Sequence, residues 1–185
     1  MGDLADRLER PQVALAHYQA ALEIYRRLGD RYSLARALLL SLAPFFLRHD
    51  QVLEAFRAYA GGLRVVLPLD AAFFLGFLNG AFEQVRTLVR TQPMQAAAGC
   101  ALLLQELQPD WEEARAQADE RSAFLLGIAL SLFQVVGLVA VARTEADEER
   151  RATFQLARAL AEQVDQATDA MFGLVAWVDE MSNMP

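Results

Sequence analysis

The sequence predicts an all-α fold built of stacked antiparallel helical hairpins, and three observations lead there. The 185 residues include 33 Ala and 30 Leu against only 13 Val, 2 Ile and 5 Thr, a balance that favours helix over sheet. Apolar residues recur at helical spacing, as in Val13, Ala14, Ala16, Ala20, Ala21, Ile24 and Leu28. Gly, Pro and Asp punctuate the chain, and the links between them are too short for anything but antiparallel neighbours. With 55% hydrophobic and 22% charged residues, the chain has the composition of a packed domain and not of a disordered tail.

The elements follow from that punctuation. Pro11 opens the first complete helix, because a first-turn residue needs no N–H partner. Gly29 suits a left-handed cap at its end, and Asp30 can cap a second helix from about Tyr32 to Leu47. His49-Asp50 breaks the chain. A third helix, about Gln51 to Val66, stops before Pro68. Asp70 starts a helix to about Arg90, and Thr91-Gln92-Pro93 restarts the chain into another from Met94 to Leu107, ended by Pro109. Asp110 with Glu113 has capping-box spacing before a helical region at 111–143, either continuous or broken near Ser122. Thr144 with Asp147 gives a second capping signal, and residues 146–180 form one helix or two with a break near Asp165. The expected organisation is a set of hairpins over 1–109 with a truncated first unit, and divergent hairpins over 110–185 on the same stack.

Charge narrows the function. Formal net charge is -7. Residues 1–70 hold 9 Arg against 8 acids, a net of +1, and residues 71–185 hold 8 Arg against 16 acids, a net of -8. Nucleic acid is an unsuitable partner without a basic stripe, whereas a basic protein partner suits the acidic C-terminal half. The single Cys100 excludes an internal disulfide and a thiolate metal cluster, and its apolar surroundings read as core. The N-terminal residues do not read as a secretory leader, which places the expected location in the cytoplasm. Phe124 to Ala142 is 19 residues without a charge, long enough to span a membrane, but its Ser131, Gln134, Gly127 and Gly137 fit a central buried helix better.

An internal repeat underlies the helices. Ala14, Tyr18 and Ala21-Leu22 have counterparts 41 residues on in Ala55, Tyr59 and Gly62-Leu63. The small residues admit a neighbouring helix, and the tyrosine one turn away fills the space beside the contact. Leu39, Leu42, Ala43, Phe46, Ala55, Tyr59, Gly62 and Leu67 fall in order on the signature positions of a helical repeat of about 34 residues. Together with the string Ala20-Ala21-Leu22-Glu23-Ile24-Tyr25-Arg26-Arg27-Leu28-Gly29-Asp30, this resembles the tetratricopeptide repeat family, most clearly over residues 1–67. A third fit runs through Ala81, Val85, Leu88, Ala97, Ala101 and Leu104, and a fourth through Val136, Ala140, Arg143, Ala152, Leu156 and Ala159.

The resemblance implies a right-handed superhelix whose first helices line a concave groove. It implies a non-enzymatic scaffold or regulatory module that holds a peptide or helix of another protein, and no cofactor. In the second unit the groove positions would be Ala37, Leu40, Pro44, Leu47 and Arg48. They are mostly apolar, and the chain has no Lys for a carboxylate clamp, so an apolar helix is the expected occupant. The chain's own helices, a second copy in a homodimer, or a small molecule remain alternatives.

Candidates for chemistry are few. His17 and His49 match no metal-ligand spacing; the first reads as bordering a helix contact and the second as a solvent-facing turn. The acids at Glu112-Glu113 read as a first turn, and those at Asp119-Glu120 and Asp147-Glu148-Glu149 as solvated surface beside Arg121, Arg150 and Arg151. No phosphate loop and no nucleophile-base pattern is present. Phe73, Phe74, Phe77 and Phe82 read as a core or dimer seam, with a small-molecule pocket as the alternative.

Overall fold

Helix α1 (Pro11–Leu28) opens on Pro11 and ends where Gly29 turns left-handed at φ 66°. Asp30 then caps α2 (Arg31–Ala37) by accepting the Ser33 N–H at 2.9 Å. The helix does not continue regularly. A π turn over Leu38–Leu42 follows, closed by the Ala43 N–H on the Leu38 carbonyl, before α3 (Ala43–Arg48) resumes. Pro44 explains the widening, since in a regular helix its ring would press on the carbonyl of Leu40 and its missing N–H would leave that carbonyl unbonded. Asp50, at φ 57°, turns the chain into α4 (Val52–Val66). The computed structural model describes residues 10–184, and among them there is no strand.

The chain divides into two compact units, Met1–Ala81 and Phe82–Pro185, with the boundary inside α5 (Ala71–Thr91). In the first unit α1 packs on α2 and the π turn, and all of Arg31–Arg48 packs on α4. Ala14, Ala35, Ala43 and Ala55 are fully enclosed where helices approach. Tyr18 meets Phe45 at 5.4 Å with the rings tilted, and Phe56 and Tyr59 meet edge to face at 5.7 Å. The tightest approach is at Gly62, where a Cβ would lie 2.4 Å from Leu39 Cγ.

The second unit continues with α6 (Pro93–Ala116), α7 (Glu120–Ala142), α8 (Asp147–Ala167) and α9 (Leu174–Ser182), each packed on the next. Gly127 lies against Trp111, and Gly137 against Cys100, so α6 and α7 run antiparallel. Helix α7 carries the most apolar stretch, with a mean hydropathy of 2.5, and is the one helix among the described residues long and apolar enough to cross a membrane. Its hydropathy is accounted for by its place between α6 and α8, where residues from Leu125 to Ala142 are buried on several sides. Phe82, from the second half of α5, meets Phe172 and Trp177 edge to face at 6.2 and 5.4 Å, and Arg90 pairs with Glu180 at 2.6 Å.

Several local expectations are corrected. Pro109 does not end a helix: α6 runs through it to Ala116, held by the buried Leu107 and Ala114 on either side of the exposed ring. Asp110 is therefore helical and caps nothing. The break falls at Gln117–Asp119, with Ala118 left-handed at φ 55° and Asp119 capping α7 through the Ser122 N–H. Thr144 is not a cap either; its hydroxyl donates to the Val141 carbonyl. Asp165 lies within α8 and reaches across the following turn, accepting the N–H groups of Leu174 and Val175 at the start of α9. The chain break comes after it, at Thr168–Gly173.

Burial also moves the later repeat fits. Ala101 is exposed, and the buried stripe of α6 is Ala96, Gly99, Cys100, Leu103 and Leu107. Ala96, Cys100 and Leu103 lie 41 residues beyond Ala55, Tyr59 and Gly62, the same displacement that relates the first two sets. The fourth fit holds only on its first helix, where Val136 and Ala140 are buried; on its second helix Ala152, Leu156 and Ala159 are exposed while Phe154, Ala157 and Ala161 are buried.

Two neighbouring glycines test the packing of α4. Around Gly61 there is nothing within 4 Å of an added Cβ, whereas Leu39 beside Gly62 is fully enclosed and cannot move aside. Gly61→Ala is expected to raise stability by about 0.5–1 kcal/mol through helix propensity. Gly62→Ala is expected to lower it by about 1–3 kcal/mol through overpacking. Urea unfolding of the two variants reads the opposite signs directly; a neutral Gly62→Ala would contradict the close approach.

Candidate functional site

The helix Arg31–Arg48 packs on α1 and α4 and buries Leu34, Ala35, Leu38, Leu39, Leu42 and Phe45. Its other side carries Tyr32 and Leu40, each 44% exposed and two helical turns apart. On α5, Phe73, Phe77 and Gly80 fall at i, i+4 and i+7, one face of that helix. The two stripes meet. Tyr32 lies 5.3 Å from Phe73, edge to face, and 5.7 Å from Phe77. Leu40 Cδ2 comes within 3.4 Å of the place a Gly80 Cβ would take. Both stripes advance in the same direction, so α2 and the first half of α5 lie side by side and parallel.

The result is an apolar face on the first unit. Phe77 is its buried floor, and Tyr32, Leu40 and the half-exposed Phe73 stand above it. Ala37, Pro44 and Leu47 are partly exposed and Arg48 is exposed. Of the residues expected from the sequence, Leu40 is thus the most open apolar one. Tyr32 and Phe73 complete the face and were not foreseen in it. The available signal was the eight-residue spacing from Tyr32 to Leu40. The phenylalanine group divides by face: Phe74 and Phe82 are fully enclosed, and Phe73 is half exposed.

The other candidates for chemistry resolve as structure. Phe45 points into the core, and His49 lies against it at 4.6 Å with its ring tilted, partly buried, so it is not the solvent-facing turn residue that its position implied. His17 is partly buried on α1. Glu112 and Glu113 lie near the end of α6 and not in a first turn, and accept from the side-chain amides of Gln108 and Gln117. Asp147, Glu148 and Glu149 do occupy the first turn of α8, where carboxylates favour the helix dipole. Asp30 and Asp119 are held below the usual carboxylate range by bonds from Ser33 and Ser122. Among the described residues no group of three or more His, Cys, Asp and Glu side chains is gathered to hold a metal ion.

Cys100 is enclosed, with Gly137 against its Cβ, and burial pushes its thiol well above the ordinary range. Thiolate is the reactive form, and both access and ionisation are suppressed here. A soluble disulfide reagent is therefore expected to modify native Cys100 no faster than the protein opens, with a rate that climbs through the unfolding transition in urea. Complete reaction within seconds on the native protein would contradict the packing of α6 on α7.

No protein-family model matches this chain, and neither a curated protein nor a solved structure shows significant similarity to it.

Proposed function

We propose that this chain is a non-enzymatic interaction module of the tetratricopeptide-repeat kind. Its apolar face on the first unit receives an amphipathic helix of another protein. The observation that carries this reading is the juxtaposition of Tyr32, Leu40 and Phe73 over Phe77. Large apolar side chains brought together and left in solvent mark a docking surface more often than chance, whereas single exposed ones mean little. These side chains are about half exposed, so removing what remains from water is worth about 1 kcal/mol each, and three together can anchor a helix. The rim supports a partner with an acidic flank, because Arg36 is exposed between Tyr32 and Leu40.

Three further features support the repeat reading. The parallel seating of α2 beside α5 is what consecutive first helices of a stack do. The Leu39–Gly62 contact falls between signature positions of one hairpin. The 41-residue displacement carries buried small or apolar residues through Ala14, Ala55 and Ala96. A cytoplasmic location belongs to the same proposal.

The test is selection of helical peptides from a display library on the full chain, with the Leu40→Asp/Phe73→Asp variant as counter-target. Amphipathic peptides are expected to emerge that bind the native chain and lose at least about tenfold on the variant. Peptides that bind both equally, or none emerging at all, would overturn the reading. Light scattering on the same samples separates the competing occupant: a dimer that dissociates in the variant would assign the face to a second copy of the chain.

A further inference from the structure

The second unit carries an exposed strip of its own. On α7, Phe124, Gly127, Ser131, Gln134, Leu138 and Val141 share one helix face and all keep some exposure, with Phe124 at 54% and Val141 at 38%. On α8, Leu156, Leu160, Gln163 and Ala167 also share a face, and Leu156 is 53% exposed. The two faces adjoin, since Phe124, Gly127 and Ser131 line a cleft of about 250 Å³ together with Gln163 and Ala167. A second cleft, of about 500 Å³, runs from Phe124 to Trp111 of α6. We propose that this strip receives a cationic amphipathic helix of another protein.

The middle of the strip is uncharged, because no charged residue occurs between Phe124 and Ala142. Its ends are acidic. Glu120 lies one turn before Phe124 on the same face of α7, and Glu149 lies two turns before Leu156 on the same face of α8. The start of α7 meets the end of α8, so the two helices are antiparallel and their first turns lie at opposite ends of the strip. Along the 23 residues of α7 that separation is about 30 Å. Glu120 and Glu149 are both exposed, and among the described residues neither side chain makes a hydrogen bond or an ion pair. The other charged groups lining the cleft at Glu120 are engaged: Arg115 lies 4.8 Å over the Trp111 ring, and Asp119 accepts the Ser122 N–H.

Charge selects the occupant. The second unit holds 16 acids against 8 Arg, a net of -8. A field of that sign draws a cationic partner and repels an anionic one. Two copies of the chain meeting on the strip would bring two such units together, and an anionic lipid surface would meet the same repulsion. A cationic helix supplies what the strip lacks. Its apolar stripe covers Phe124, Val141 and Leu156, and Lys or Arg near each end reaches Glu120 and Glu149. The Arg36 rim on the first unit favours the opposite charge, so the two surfaces select different helices.

The experiment titrates the full chain with a synthetic helix of about 22 residues that carries a leucine stripe and lysines at both ends. The controls are the same helix with glutamates at the ends and a scrambled form of the lysine helix. The lysine helix is expected to bind one to one and at least about tenfold tighter than either control. It should move the indole N–H signal of Trp111 and leave that of the enclosed Trp177 in place. Glu120→Gln/Glu149→Gln should abolish the preference for lysine ends, and Phe124→Gln/Leu156→Gln should weaken the lysine helix by at least about tenfold. Leu40→Asp/Phe73→Asp should leave it unchanged, so the two surfaces stand or fail separately. All four glutamine positions are exposed and glutamine is a good helix former, so the fold should persist; circular dichroism checks this. The indole shifts on the native chain carry the test even if a variant fails to fold. Equal binding of the lysine and scrambled helices, a lysine preference that survives in Glu120→Gln/Glu149→Gln, or an unmoved Trp111 signal would overturn the proposal. Uptake onto phosphatidylserine vesicles, or a light-scattering mass that halves in Phe124→Gln/Leu156→Gln, would overturn it in favour of a lipid surface or a second copy.

Discussion

The close approach of α4 to the helix Arg31–Arg48 is the constraint on which the first unit depends. At Gly62 there is no room for a methyl group, because Leu39 fills the space that a Cβ would need. Ala43 and Ala55 are fully enclosed in the same unit. Small residues at such points let two backbones come near, and larger ones beside them, Tyr18, Phe45 and Tyr59, then close the gaps. Once Leu39 is locked over Gly62, the rotation of its helix is fixed. Leu34, Ala35, Leu38 and Leu42 must then face inward, and Tyr32 and Leu40 must face out. The apolar face is thus a consequence of the packing on the opposite side of the helix.

The sequence was most legible where a signal acts within a few residues. Pro11, Gly29 and Asp30 each do what local chemistry asks of them, and the ends of α1 and the start of α2 follow. It was least legible where tertiary packing overrides a local signal. Pro109 has the chemistry of a stop, but the chain on both sides of it is buried along α7, and continuity of that contact outweighs the lost hydrogen bond. Asp110 and Thr144 have cap chemistry at places where no helix begins. The π turn was invisible because the sequence reads as one unbroken helix from Tyr32 to Leu47, and Pro44 within it does not say whether the chain kinks, stops or widens its hydrogen-bond ladder at Leu38–Leu42.

The repeat illustrates the same limit. Ala96, Cys100 and Leu103 hold the places of Ala55, Tyr59 and Gly62, but with cysteine for tyrosine and leucine for glycine. The large-small arrangement is inverted there, so pattern matching slid by one residue onto Ala97, Ala101 and Leu104. Burial recovers the register because a helix face, unlike a residue type, cannot be exchanged without rotating the helix by about 100°. At the candidate surface, sequence position identified Leu40 as outward. It missed Tyr32 and Phe73 because their significance lies in meeting each other from helices about 40 residues apart.

Adjacent residues of α2 serve two surfaces: Tyr32 the apolar face, and Arg31 a cleft that it lines with Arg26 of α1 and Arg64 of α4. One residue of helix turns a side chain by about 100°, so neighbours in sequence address different sides of the same element. Tyr32 goes to α5 and Arg31 to the edge formed by α1 and α4. Leu34 and Ala35, buried between them, hold both directions at once. A change at either surface leaves that buried pair intact and the other surface in place. A change at Leu34 or Ala35 shifts the whole helix and must disturb both together. Separable disturbance at the two surfaces, and joint disturbance from the core, is therefore the pattern that this one helix imposes.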